Sequence, residues 1–306
     1  MSIVQAAPKS IASGLLLAVL GAIAFSGKAI IVKLAYRYGV DAVTLLMLRM
    51  LLALPFFLAI AWWTSRPKNG VAPVVLTRKD WLGVVGLGVT GYYLASYLDF
   101  AGLAYISASL ERLILYLNPT LVLLLGLVLY GRKIGRHQTA GMAISYSGVL
   151  LVFGHEITLT GADVALGSLL VLLSAVSYAI YLSYSGELVK RLGSLRLVGL
   201  ATSVACALCI GQFLLLRPLG SLAAVAPEVV WLSVLNATVC TVVPVLMVMM
   251  AIERIGSGLA AQVGMVGPMS TITMGVLLLG EPFTGWVVAG TVLVVVGVFV
   301  VSRAKH

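Results

Sequence analysis

The sequence predicts an all-α fold, a polytopic membrane protein of ten transmembrane helices in two inverted five-helix repeats. Hydrophobic residues make up 61% of the 306 and charged residues only 10%, with a mean hydropathy of +1.12, whereas soluble domains are charged at about a quarter of positions. The apolar residues gather into runs long enough to cross a bilayer and too uniformly apolar for a soluble helix. The second half of the chain also echoes the first at a nearly fixed offset.

The first run follows a short tail bearing Lys9 and reaches about Ala35. It contains Ala22-Ile23-Ala24, a pattern compatible with signal cleavage, but the apolar character continues past it, so a retained span is expected. Nine more spans are expected at 41–63, 81–100, 105–130, 137–153, 165–187, 195–216, 229–250, 257–279 and 284–301. The longest connection, from Thr64 to Asp80, is too short to fold alone, so no soluble catalytic or regulatory domain is expected.

With the N-terminus in the cytoplasm, the inner segments collect fourteen basic residues: Lys9, Arg66, Lys68, Arg78, Lys79, Arg132, Lys133, Arg136, Lys190, Arg191, Arg196, Arg254, Arg303 and Lys305. The outer segments collect three, Lys33, Arg37 and Arg217. That bias places both termini in the cytoplasm. The net charge of +10 therefore reads as orientation, and no nucleic-acid partner follows from it.

The repeat shows when Pro119 is set on Pro268, an offset of 149 residues. Without a gap, Ile106 then meets Ile255, Leu110 meets Leu259, Gly126 meets Gly275, Gly131 meets Gly280, Gly141 meets Gly290 and Gly148 meets Gly297. Upstream, Gly14, Leu16, Leu17 and Ala22 match Gly167, Leu169, Leu170 and Ala175 at an offset of 153. An odd number of spans per half forces the halves to enter the membrane from opposite sides. That is the inverted-repeat plan of alternating-access carriers, with a binding site near the midplane between halves.

Ionisable residues inside the spans are the first functional suspects. Lys28, Arg49, Asp99, Glu111 and Arg112 are expected at a common depth in the outer half of the bilayer, facing one wet cavity; Lys28 could instead snorkel outward along its helix. Their second-half counterparts are Tyr181 for Lys28, Thr202 for Arg49, and Ala260 and Ala261 for Glu111 and Arg112. The electrostatics are thus one-sided and favour a substrate with a carboxylate or other anionic group. Glu111 and Arg112 lie about 100° apart on their helix and need outside partners. Arg49 is the expected partner of Glu111, leaving Arg112 and Lys28 for the substrate; a purely structural ion pair is the alternative.

Polar stripes at helical spacing point the same way: Tyr92, Ser96 and Asp99 on helix 3, and Ser174, Tyr178, Tyr181 and Ser185 on helix 6. Asn236 and Gln262 are further candidates. All of these could equally bond packed helices together. Pro119 and Pro268 free the carbonyls of Leu115 and Gly264 at equivalent places, as hinges or as static kinks. Gly141, Ser145, Gly148, Gly290 and Gly297 read as close-packing surface.

Cys206, Cys209 and Cys240 lie within apolar runs, and the histidines do not cluster, so neither a disulfide framework nor a metal site is expected. No phosphate-binding loop is present to couple ATP, and no cofactor is expected.

The run Ala108-Ser109-Leu110-Glu111-Arg112 leading to Asn118-Pro119-Thr120, then Gly131-Arg132-Lys133, with Gly267-Pro268 and Leu279-Gly280-Glu281-Pro282 in the second half, resembles the drug/metabolite transporter superfamily. Within it the chain is similar to the EamA-type ten-helix permeases. The resemblance runs from about Gly14 to Arg303 and implies two EamA-type repeats, at 10–154 and 163–302. It implies a secondary-active carrier in the bacterial cytoplasmic (inner) membrane, an exporter of small organic metabolites such as amino acids or organic anions, coupled to protons or running as a uniporter. Helices 1–4 and 6–9 would line its cavity. Efflux of hydrophobic drugs is the alternative within transport, and an integral-membrane enzyme the alternative of another class; no catalytic constellation supports the latter. The first half departs from the family's Gly-Glu turn, having Gly131-Arg132 where the second has Gly280-Glu281.

Overall fold

The computed structural model describes residues 11–67, 73–131, 133–161, 163–264 and 266–303. Lys9, Lys68, Arg132 and Lys305 of the charge bias lie outside these residues, and the side chains of Gln262 and Arg303 are likewise outside the described part.

Eight long helices form the first eight spans: α1 (Ile11–Tyr36), α2 (Ala42–Thr64), α3 (Arg78–Leu103), α4 (Ala108–Leu129), α5 (Arg136–Thr160), α6 (Asp163–Leu192), α7 (Ser194–Leu216) and α8 (Pro227–Gly256). The ninth span, α9, comes in two pieces, 257–264 and Gly267–Leu279, and α10 is Gly285–Arg303. Among the described residues nine helices are long and apolar enough to cross a membrane, and the broken α9 supplies the tenth passage. The expected spans hold, with α5, α6 and α8 running longer than their apolar cores. All five tryptophans are exposed and sit near helix ends, Trp62, Trp63 and Trp81 at one end of the bundle and Trp231 and Trp286 at the other. Aromatic belts of that kind mark the two membrane interfaces.

The helix pairings obey a two-fold exchange. The pair α1·α8 maps onto α6·α3, and α1·α9 onto α6·α4, while α2·α7 and α5·α10 map onto themselves. The correspondence reaches single atoms. A Cβ on Gly14 would fall 2.5 Å from Ile255 Cγ2, and one on the equivalent Gly167 would fall 2.7 Å from Cγ2 of the equivalent Ile106. In the antiparallel crossing of α5 with α10, a Cβ on Gly141 would lie 2.8 Å from Gly297 O, and one on Gly290 2.7 Å from Gly148 O. These glycines let the backbones touch, as small residues do between membrane helices.

Three local features repeat with the same offset. Both α3 and α8 contain a π-helical stretch, Gly88–Leu94 and Thr238–Val242; such widened turns recur at functional sites. Both α4 and α9 end on a left-handed glycine, Gly131 (φ 62°) and Gly280 (φ 72°). Both also break just before their prolines, α4 between Ala108–Leu115 and Asn118–Tyr130, α9 between 264 and 267.

The carbonyls freed by the prolines are not left bare. Asn118 Nδ2 donates to Leu115 O at 2.6 Å, and the Tyr116 hydroxyl reaches across the halves to Gly264 O at 2.9 Å. A buried carbonyl without a donor would cost about 1–3 kcal/mol, so these side chains fix where each helix can bend.

Candidate substrate cavity and buried charge cluster

A cavity of ≈ 290 Å³ lies between the halves, lined by side chains of α1, α2, α3, α4, α6, α7 and α8. Among the described residues none of α5, α9 or α10 is in its lining; α9 bears on it from behind, where Thr271 accepts a hydrogen bond from Arg112 Nε at 2.9 Å and Gly264 O one from the Tyr116 hydroxyl at 2.9 Å. Repeat equivalents share its lining. Arg49 and its equivalent Thr202 both line it, as do Tyr92 of the first π-helical stretch and its equivalent Thr241 of the second.

The charged residues converge here. Lys28, Arg49, Asp99, Glu111 and Arg112 are all buried, Glu111 completely. Lys28 does not snorkel. Its ammonium bridges Asp99 and Glu111, in direct contact with Asp99 Oδ2 and 3.4 Å from Glu111 Oε1. Arg112 lies 3.9 Å from Glu111 Oε2, the long distance expected of sequence neighbours on a helix. Its second nitrogen lies 3.5 Å from the carbonyls of Phe25 and Ser26 on α1.

The expected pairing of Arg49 with Glu111 is not what forms. Arg49 Nε donates to Thr241 Oγ1 at 3.0 Å, and the guanidinium lies over the Phe100 ring at 5.3 Å. The widened turn of α8 presents Thr241, whose hydroxyl donates to Asn236 O at 2.7 Å and so keeps a lone pair for Arg49. Depth alone could not reveal this, because the partner sits on the other half. Arg49 Nη1 has no hydrogen-bond partner among the described residues.

Other candidates divide. Tyr92, Ser96, Asp99 and Tyr178 line the cavity, as do Lys28, Arg49 and Arg112. Glu111 stands behind them as the acidic floor under Lys28. Tyr181 is buried in the α3·α6 wall against Gly91, one layer behind the lining, its hydroxyl 3.2 Å from that of Tyr92. Ser185 bonds its own helix at Leu182 O, and Ser174 donates to Ala95 O at the cavity wall. Asn236 is fully buried and off the lining, while Thr241, in the π-helical stretch that follows it, is on the lining. Pro119 and Pro268 sit at the two helix breaks.

A second layer was not anticipated from the sequence. The first turn of α4 offers four backbone N–H groups, and each finds an acceptor. Ser107 N donates to Glu156 Oε1 at 2.6 Å, Ala108 N to Glu281 Oε1 at 2.7 Å, Ser109 N to Glu281 Oε2 at 3.3 Å, and Leu110 N to Ser107 Oγ at 3.0 Å. Carboxylates are favourable at that positive helix end. Glu156 comes from α5, and Glu281 from the turn after Gly280, which was visible only as part of a Gly-Glu-Pro turn. Above this layer opens a vestibule of ≈ 470 Å³ lined by Lys33, Arg37, Glu156 and Glu281 among others.

Ten membrane passages in an inverted repeat around a cavity with buried charge define a polytopic carrier. The model of the EamA-like transporter family matches the sequence twice, at residues 12–154 and 165–303. The chain belongs to that family. It is 32% identical over 288 residues to the uncharacterized transporter YcbK of Bacillus subtilis, covering 90% of this chain and 88% of that one. An uncharacterized transporter of Archaeoglobus fulgidus is 22% identical over 95% of this chain and 98% of its own. A solved crystal structure shares the fold with a TM-score of 0.61 over 95% of this chain and 96% of that chain, at 19% identity.

Proposed function

We propose that this protein is a secondary-active exporter of small organic metabolites bearing a carboxylate or similar anionic group, such as amino acids or organic anions, working by alternating access across a bacterial cytoplasmic membrane with both termini inside. The observation that carries the reading is the charge balance of the site. Three buried cations, Lys28, Arg49 and Arg112, face two buried carboxylates, Asp99 and Glu111. Two acids cannot neutralise three bases, and an uncompensated charge in a low-dielectric site is costly. An anionic group of the substrate, seated at Arg112 and the free edge of Arg49, completes the set.

The tyrosines and the apolar lining from Met50, Phe57 and Val245 supply the remaining contact surface. Glu111 is the candidate proton carrier, since it shares the Lys28 ammonium with Asp99; protonation of one carboxylate by an entering proton would change how tightly the substrate anion is held. The basic bias of the loops supports the topology.

Purified protein in liposomes, tested for uptake of labelled amino acids, organic acids and lipophilic cations with and without a pH gradient, decides the matter. Transport of a carboxylate compound is the expected outcome. Transport of lipophilic cations alone would shift the reading to drug efflux, and reporter fusions after residue 303 or between residues 64 and 80 that read external would reverse the topology.

A further inference from the structure

Among the described residues, several polar ties between α1 and α9 on one side and α3 and α4 on the other gather toward the end of the bundle away from the chain termini. Lys33 Nζ donates to Leu103 O at 3.2 Å and to Ile106 O at 3.0 Å, and the Tyr36 hydroxyl donates to Phe100 O. Outermost, the Glu281 carboxylate takes the N–H groups of Ala108 and Ser109 and the Ser109 hydroxyl, the last at 2.7 Å. Glu281 can reach them because Gly275 leaves room: a Cβ there would stand 2.8 Å from Glu281 Oε2.

The repeat allows the same contacts to be sought at the other end, and the sequence removes them. The positions equivalent to Lys33 and Tyr36 are Gly186 and Val189, and the position equivalent to Glu281 is Arg132. A glycine and a valine carry no side-chain donor, and a cation is repelled by a helix N-terminus where a carboxylate is held. At these three positions the sequence does not repeat the contacts.

From this geometry we infer that Glu281 is a gating residue: its carboxylate, seated on the first turn of α4, clamps the bundle shut at the end opposite the termini and biases the carrier toward that closed state. The clamp lies between the vestibule, whose lining includes Ser109 and Glu281, and the cavity, whose lining includes Arg112 one turn further along α4. Opening that end requires Glu281 to leave three donors in a single step. Charge-assisted hydrogen bonds of this kind are the strong ones, so their loss moves a two-state equilibrium by a measurable factor.

This inference rests on the alternating-access reading, but its test needs no substrate. The protein carries Ser96→Cys in the cavity lining, and a membrane-impermeant thiol reagent is applied from the side opposite the termini. The three native cysteines are buried, and the chain without Ser96→Cys supplies the baseline. Glu281→Ala is expected to speed labelling by about tenfold, the loss of roughly one strong contact. Gly275→Ala, which crowds the carboxylate out of its seat, should move the rate the same way and serves if Glu281→Ala does not fold. Glu156→Gln alters a cap on the same helix from α5 and should leave the rate within about twofold, because its carboxylate holds Ser107 from α5 rather than from α9.

Equal rates in the parent, Glu281→Ala and Gly275→Ala overturn the clamp. So does an acceleration by Glu156→Gln as large as that by Glu281→Ala, which would mean that helix capping in general, and not this contact, holds the end closed. Failure of liposome transport by the unmodified protein would count against the function proposed above and would leave these labelling rates standing.

Discussion

Replacing Lys28 with methionine removes the one ammonium that two buried carboxylates share. The Lys28 side chain is 8% exposed, Asp99 3% and Glu111 0%, so none of the three can recover its lost partner from bulk water. An exposed pair would matter by less than about 1 kcal/mol; breaking a buried one costs about 3–5 kcal/mol, because the stranded charge remains inside. Here two charges are stranded, and they repel each other. The upper part of that range is therefore expected, a fall in Tm on the order of 10 °C.

Asp99→Asn in the same chain removes one of the stranded acids and leaves Glu111 with Arg112 at 3.9 Å. The double variant should be more stable than Lys28→Met alone, with a coupling of about 2 kcal/mol. Thermal unfolding in detergent, followed by the loss of monodisperse protein, reads all four corners of the cycle. An unchanged Tm for Lys28→Met, or a double variant whose loss is the sum of the single losses, refutes the reasoning.

Arg112→Gln should leave folding near normal, since glutamine can still reach Thr271. It should weaken the binding of a carboxylate substrate by about 2–3 kcal/mol, roughly 30- to 150-fold in Kd, and Glu111→Gln should abolish dependence on a pH gradient; liposome assays measure both. Gly290→Leu places side-chain atoms where Gly148 O already stands 2.7 Å from a Cβ, so a loss of about 3 kcal/mol and poor membrane yield are expected. Tyr116→Phe strips the donor from Gly264 O and should cost about 1 kcal/mol. It should also raise deuterium exchange around residue 264, and unaltered exchange there would separate the α4 break from the α9 break.

Much of the architecture was legible because it depends on patterns that survive without coordinates. Runs of apolar residues set the helices, and one offset predicted that Gly141, Gly148, Gly290 and Gly297 would share a role, which they do in a single crossing. The depth argument gathered Lys28, Arg49, Asp99, Glu111 and Arg112 correctly into one region. It could not pair them, because pairing depends on azimuth around each helix, and the hydroxyl that Arg49 meets is presented by the π-helical stretch of α8. The widened turn in α8 presents Thr241 to the cavity while Asn236, just before it, stays off the lining; Tyr181, on the regular helix α6, is turned into the α3·α6 wall against Gly91. Glu156 and Glu281 escaped for a different reason. Each lies far in sequence from the helix start it caps, and only the packed structure shows that the α4 N-terminus lacks acceptors of its own beyond Ser107.

The pairs α2·α7 and α5·α10 each join a helix to its own repeat equivalent, so both contacts sit on the pseudo-two-fold axis. An interface of that kind is isologous: the patch offered by one partner is the patch offered by the other. A substitution that improves α5 against α10 therefore has a matching site on the opposite helix where the same change acts in the same direction. Copying the first half in place of the second would preserve both of these contacts and lose Glu281, because the copied turn would carry arginine. By this logic an antiparallel assembly of two identical halves has the wall helices it needs, and what the fused second half adds is the freedom to make the two ends different.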